Sequence, residues 1–101
     1  MKYLIFFIIL FSSPLHAVEL ISSQYKCTHK DNDLVREVKI VHKDSGCEVN
    51  YTKAVGTINE KTKSLWRANN STEYCDNKGR AFVEEKLQKK FGWVCIDQIN
   101  N

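Results

Sequence analysis

The sequence is poor in the residues that build special architectures. It has one proline, Pro14, and four glycines, with no low-complexity stretch and no solenoid-type repeat. After Ala17 no apolar run approaches the roughly 20 residues that a membrane-crossing helix needs. No two cysteines are near neighbours, so the close Cys pairs of zinc sites and redox motifs are missing. Gly-x-Ser-x-Gly, His-Glu-x-x-His and phosphate-loop patterns are absent as well. Charge of one sign is also scarce: 15 Lys and Arg stand against 12 Asp and Glu, and Lys2 is one of the 15. That excess is too small to argue for nucleic acid.

What the chain does have is unevenly placed. Most of the segment from Met1 to Ala17 is hydrophobic, against 43% for the whole chain. Met1-Lys2-Tyr3 is a short positive start, Leu4 to Phe11 an unbroken apolar run, and Ser12-Ser13-Pro14 ends any helix there. Leu15-His16-Ala17 puts a small residue at a cut site. Together they predict a secretory signal peptide over 1–17 and a mature chain beginning at Val18. Residues 18–101 are then one small domain, with a modest core and no stable membrane insertion after cleavage. The short n-region points to a Gram-negative bacterium and a periplasmic or secreted product.

Four cysteines in an exported domain predict two disulfides, because that compartment is oxidising. The spacing from Cys27 to Cys47 equals that from Cys75 to Cys95, with a longer gap between the two pairs. Spacing leaves three connectivities open; the preferred one joins Cys27 to Cys47 and Cys75 to Cys95, each closing a loop of roughly 20 residues at about 3 kcal/mol.

Hydrophobic period organises the rest. Gln24 to His29 reads as a strand, and Asp31-Asn32-Asp33 as a turn. Leu34 to His42 alternates as a second strand. Lys43-Asp44-Ser45-Gly46 is hairpin chemistry, with Gly46 free to take positive φ, and Cys47 to Thr52 is the return strand. Ala54 to Lys63 reads as an irregular excursion and Leu65 to Ala68 as a short fourth strand. Asn70 and Glu73 are spaced as a capping box. Cys75, Gly79, Phe82, Val83, Leu87 and Phe91 then share a broad helical face that stops at Gly92. Gly79 means either a close approach of the sheet or a turn at 76–79 with a later helix start. Trp93 to Gln98 is a last strand. The expected fold is therefore α+β: a small antiparallel sheet in the order β-β-β-β-α-β, one helix on one face, and two disulfides. Tyr51, Trp66, Phe82 and Trp93 are the expected core anchors.

Arg36-Glu37-Val38-Lys39-Ile40, Cys47-Glu48-Val49-Asn50-Tyr51, Leu65-Trp66-Arg67-Ala68, Tyr74-Cys75, Phe82-Val83 and Gly92-Trp93-Val94-Cys95 together resemble a group of short exported proteins of Gram-negative bacteria. The group shares four cysteines and a Leu-Trp-x-Ala, Tyr-Cys, Gly-Trp-x-Cys pattern over residues 25–96. The resemblance implies fold and location and carries over no catalytic residue. Its tolerance of Ala at the place of Gly79 implies a continuous helix.

Among candidate sites, His29 and His42 with a nearby lysine are the raw material of ribonuclease chemistry, provided both rings converge on one phosphate. His29, Asp31 and Asp33 begin like a calcium loop, but Arg36 and His42 stand where that loop needs Gly and Glu, so no metal site is expected. The hairpin tip Lys43, Asp44, Ser45 and Gly46, beside a crosslinked cysteine, is a candidate rigid binding loop. Arg80, Lys86, Lys89 and Lys90 form a candidate basic helix flank. No cofactor is implied. The leading expectation is a non-enzymatic periplasmic or secreted binding module for a protein or envelope-associated ligand. A lysozyme-inhibitor-like protein and a small ribonuclease-like hydrolase or effector are the alternatives.

Overall fold

The computed structural model describes residues 19–100, so the expected signal segment 1–17 and the cut before Val18 lie outside the described residues. Four consecutive strands form a meander: β1 (Glu19–His29), β2 (Asn32–Lys43), β3 (Gly46–Lys53) and β4 (Lys61–Ala68). A helix, α1 (Glu73–Ala81), runs without a break into a π-helical segment (Phe82–Lys90), and β5 (Val94–Asp97) follows. The sheet order is β4-β3-β2-β1-β5 with every neighbouring pair antiparallel. The helix thus carries the chain across one face, from the β4 edge to the β5 edge. This is the expected two-layer α+β domain, and among the described residues no helix is long and apolar enough to cross a membrane.

The disulfides are where sequence reasoning fails. The bonds are Cys27–Cys95 and Cys47–Cys75, not the preferred pairing. β5 does not fold back beside the start of the helix; it pairs with β1, in a register that sets Cys95 directly opposite Cys27. That leaves Cys47, at the start of β3, under Cys75 in the first turns of α1. One bond holds an edge strand and the other pins the helix to the sheet.

Period-2 alternation selects the helix-facing residues. Val38, Ile40 and His42 on β2 lie opposite Tyr51, Val49 and Cys47 on β3, in that order, and Arg36 continues the same face of β2. From the helix, Cys75, Gly79, Val83 and Leu87 are buried at every fourth position. Tyr51 and Trp93 are buried anchors as expected, whereas Trp66 and Phe82 are half-buried against them. Gly79 resolves to close approach: a Cβ there would lie 2.5 Å from Ile40 Cδ1. The helix is accordingly continuous. Its start is capped by the Ser71 hydroxyl, which accepts the Tyr74 N–H at 3.1 Å, instead of the expected Asn70–Glu73 box. Gly92 ends it at φ +77°, as its position suggests.

Other boundaries shift for local reasons. β1 starts at Glu19, earlier than the expected Gln24, because the long β2 supplies partners and a bulge between Ile21 and Ser23 absorbs the broken alternation. The first turn is Lys30-Asp31, closed by the His29–Asn32 pair. In the β2–β3 hairpin the positive φ falls on Asp44 (+54°). Gly46 is needed for space instead, since a Cβ there would sit 2.3 Å from the Ala68 carbonyl oxygen. The expected excursion at 54–63 shrinks to 54–60. Thr57 hydrogen-bonds back to Ala54, and Gly56 N–H donates to Glu60 Oε1 at 2.7 Å.

Candidate functional site

The histidines serve the fold and do not converge. His29 Nδ1 accepts the Asp31 N–H at 3.0 Å, so its Nε2–H is the donor to the Phe91 carbonyl at 3.0 Å. Its ring also meets Trp93 edge-on, with centroids 5.1 Å apart. His42 Nε2 lies 2.9 Å from Asp76 Oδ1, the oxygen that also accepts the Ser22 hydroxyl at 2.9 Å. The two rings sit at opposite ends of β2, roughly 30 Å apart at the rise of a strand. No single phosphate spans that gap. Among the described residues no three His, Cys, Asp or Glu side chains gather as a metal-binding group.

The hairpin tip is braced from inside. Lys43 Nζ donates to Glu48 Oε1 at 2.7 Å, and Arg67 reaches Glu48 Oε2 at 3.1 Å. The Lys43 hydrogen bond holds the Glu48 carboxyl well down, at about 2, against burial that would raise it. The same carboxylate pushes the Lys43 ammonium up. The Ser45 hydroxyl donates to the Asn69 carbonyl at 3.1 Å. Rigid as the loop is, the charge of Lys43 is already matched.

The basic flank divides. Arg80 Nη2 donates to Asn77 and lies towards Ser22, Tyr25 and Asn100 at the β1 side. Lys86 and Lys90 point the other way, towards Leu65 and Trp66 on β4. Lys89 lines none of these depressions. Four charges read as one patch on the helix therefore serve different sides of it.

The feature that sequence reasoning missed is a cleft of about 540 Å³ between the π-helical segment and the β3–β4 ribbon. Tyr51, Leu65, Phe82, Leu87 and Phe91 supply its apolar wall, and Arg36, Lys53, Lys61, Lys63 and Lys86 its cations. It holds five of the chain's 15 Lys and Arg and none of its 12 Asp and Glu. Three local devices assemble it.

The first is strand register. Lys61 and Lys63 fall on the helix-facing side, opposite Lys53 and Tyr51 respectively. Two ammonium groups directly across a ladder repel, and among the described residues no carboxylate pairs with either. The second is a bulge: the β3–β4 register slips between Asn50–Ser64 and Val49–Trp66, which leaves Leu65 as the inserted residue. A bulge re-aims a side chain: Leu65 keeps the helix-facing side of Lys61 and Lys63, and the slip brings Trp66 to that side as well, against Phe82. The third is the π winding, in which the Phe91 N–H bonds to the Lys86 carbonyl at 3.1 Å. The step from Phe82 to Phe91 is about two and a half turns of an α-helix, which would place the two rings on opposite sides. The wider i→i+5 turns bring both into the cleft.

Its rings are braced: Tyr51 and Phe82 meet edge to face at 5.0 Å, Phe82 and Trp66 at 5.8 Å. Arg36 donates to the Tyr51 hydroxyl at 2.6 Å and covers the Trp93 ring at 4.5 Å. Lys86 lies 5.9 Å from the Phe82 centroid. Among the described residues no imidazole, carboxylate or thiol lines the cleft. Its chemistry is attraction of anions and burial of apolar surface. A Tyr-x-Lys strand followed by Lys-x-Lys was the available signal, legible only once the register is known.

The chain matches no protein-family model, no curated protein and no solved structure.

Proposed function

We propose that this chain is an exported, non-enzymatic binding module of the bacterial periplasm or exterior, and that its ligand is anionic and seated in the cleft. The observation that carries this reading is the Lys53–Lys61 pair. Two like charges face each other across a ladder, in a recess with three more cations and no acid. Such an arrangement costs stability, and a negatively charged partner is what relieves it. Two disulfides fit an oxidising compartment. The apolar segment Met1 to Ala17 and the resemblance to short exported Gram-negative proteins support export.

Titration of isotope-labelled oxidised protein with a hexapeptide of Asp and Glu tests the site. Amide shifts clustered at Lys53, Lys61, Lys63 and Lys86, lost in Lys53→Glu/Lys63→Glu, are expected. A lysine hexapeptide should give none. Shifts scattered over the surface, or equal for both peptides, would remove the reading. Mass spectrometry of the exported chain should find Val18 first. The braced hairpin tip favours a second reading, insertion into a partner's cleft in the manner of a lysozyme inhibitor. That reading requires loss of a protein partner in Asp44→Lys but not in the cleft variant.

A further inference from the structure

We infer that the ligand of this cleft is a single amphiphilic anion, a medium- to long-chain carboxylate whose chain lies on the apolar wall with its head among the lysines. The inference rests on the binding-module reading and narrows it. A free inorganic anion needs charge but no cavity, whereas about 540 Å³ lies in the range that encloses a small organic molecule. An acidic peptide needs cations along its whole length. Here the strand cations Lys53, Lys61 and Lys63 gather on the β3–β4 ribbon, facing the apolar Phe82, Leu87 and Phe91 of the helix side.

Stacked bases need open ring faces, but Phe82 is held edge to face between Tyr51 and Trp66. A membrane surface needs an apolar patch that stands proud of the fold. This apolar surface is recessed, with Phe91, 49% exposed, at its mouth. Leu65 continues the alternation of Lys61 and Lys63 on the helix-facing side, so one strand sets an apolar side chain directly beside two cations.

The experiment is calorimetry on the oxidised full domain with acetate, octanoate, decanoate, dodecanoate and dodecyltrimethylammonium, each below its micelle concentration. Dodecanoate should bind one to one. Affinity should fall about tenfold for every two methylenes removed, since one buried methylene is worth about fourfold at most. Acetate and the cationic amphiphile should bind at least a hundredfold more weakly. Lys53→Glu/Lys63→Glu should weaken dodecanoate tenfold or more. Leu65→Gln and, as an independent surface change, Phe91→Ser should weaken dodecanoate about tenfold yet leave the acidic hexapeptide unaffected.

Affinity independent of chain length, or equal binding of the cationic amphiphile, overturns the inference. So does binding to anionic phospholipid vesicles without binding of monomeric dodecanoate. If the acidic hexapeptide still binds in those cases, the anion-binding module stands and only the amphiphile falls. If neither ligand binds, both fall.

Discussion

Glu48 shows how one side chain can secure a turn. It is 9% exposed, yet it accepts from Lys43 and Arg67 together. Its carboxyl titrates at about 2, against an ordinary value of 4.5. Asp97 behaves alike: burial would raise it, but hydrogen bonds from Asn100, Ile99 and Gln24 bring it to about 2. Both folded values lie below the unfolded ones, so their stabilisation is complete above about pH 4.5 and drains away as pH falls towards 2. Acid denaturation monitored by circular dichroism should begin below pH 4.5, and Glu48→Gln should flatten that slope while costing about 1–3 kcal/mol at pH 7. Gly79 makes the opposite point, that a missing atom can matter. Gly79→Ala gains helix propensity of about 1 kcal/mol but drives a methyl into Ile40, an overpacking cost of about 1–3 kcal/mol. The single change should lower stability, and pairing it with Ile40→Val should recover part of the loss in a double-mutant cycle measured by denaturant unfolding.

At the scale of elements, the sheet edges and the helix winding matter most. β5 is four residues long and joins the sheet through β1 alone, with the Cys27–Cys95 bond as its covalent tie to that strand. Cys27→Ser/Cys95→Ser should cost about 2–5 kcal/mol. Amide exchange should rise first at Val94–Asp97 while β2 and β3 stay protected. On the other edge, Lys53→Glu replaces a repulsive pair with Lys61 by an attractive one. Chemical denaturation of Lys53→Glu should show a gain of about 0.5–1 kcal/mol together with weaker anion binding, the exchange of stability for function expected of a working site. The strands were legible because alternation at Leu34–His42 and Cys47–Thr52 is strong. The π segment was not, since Val83 and Leu87, four apart, fit either winding.

For the whole molecule, a net charge of +3 is uninformative until its distribution is known. Folding collects five cations in one recess and spends Lys43, Arg67 and Glu48 on the hairpin. Retention on an anionic resin should therefore exceed what so small a net charge supports. Converting Lys53 and Lys63 to Glu should reduce it more than converting Lys26 and Lys30, an equal change of charge elsewhere. Fast elution of both variants together would show that the clustering has no reach beyond contact distance. The helix flank Arg80, Lys86, Lys89 and Lys90 reads as a basic patch because its residues are close in the chain. The true cluster draws on β2, β3, β4 and the helix, and no sequence window contains it.

Local physics was enough to determine the meander, the hairpin at Asp44-Ser45, the helix stop at Gly92 and the two-layer class. Alternation, turn residues and helical spacing all act over short stretches of chain. Sulfur pairing and the cleft were decided by tertiary structure, because each depends on which edge β5 occupies and where β4 slips by one residue. Register is a property of two strands together, and neither strand's sequence states it alone.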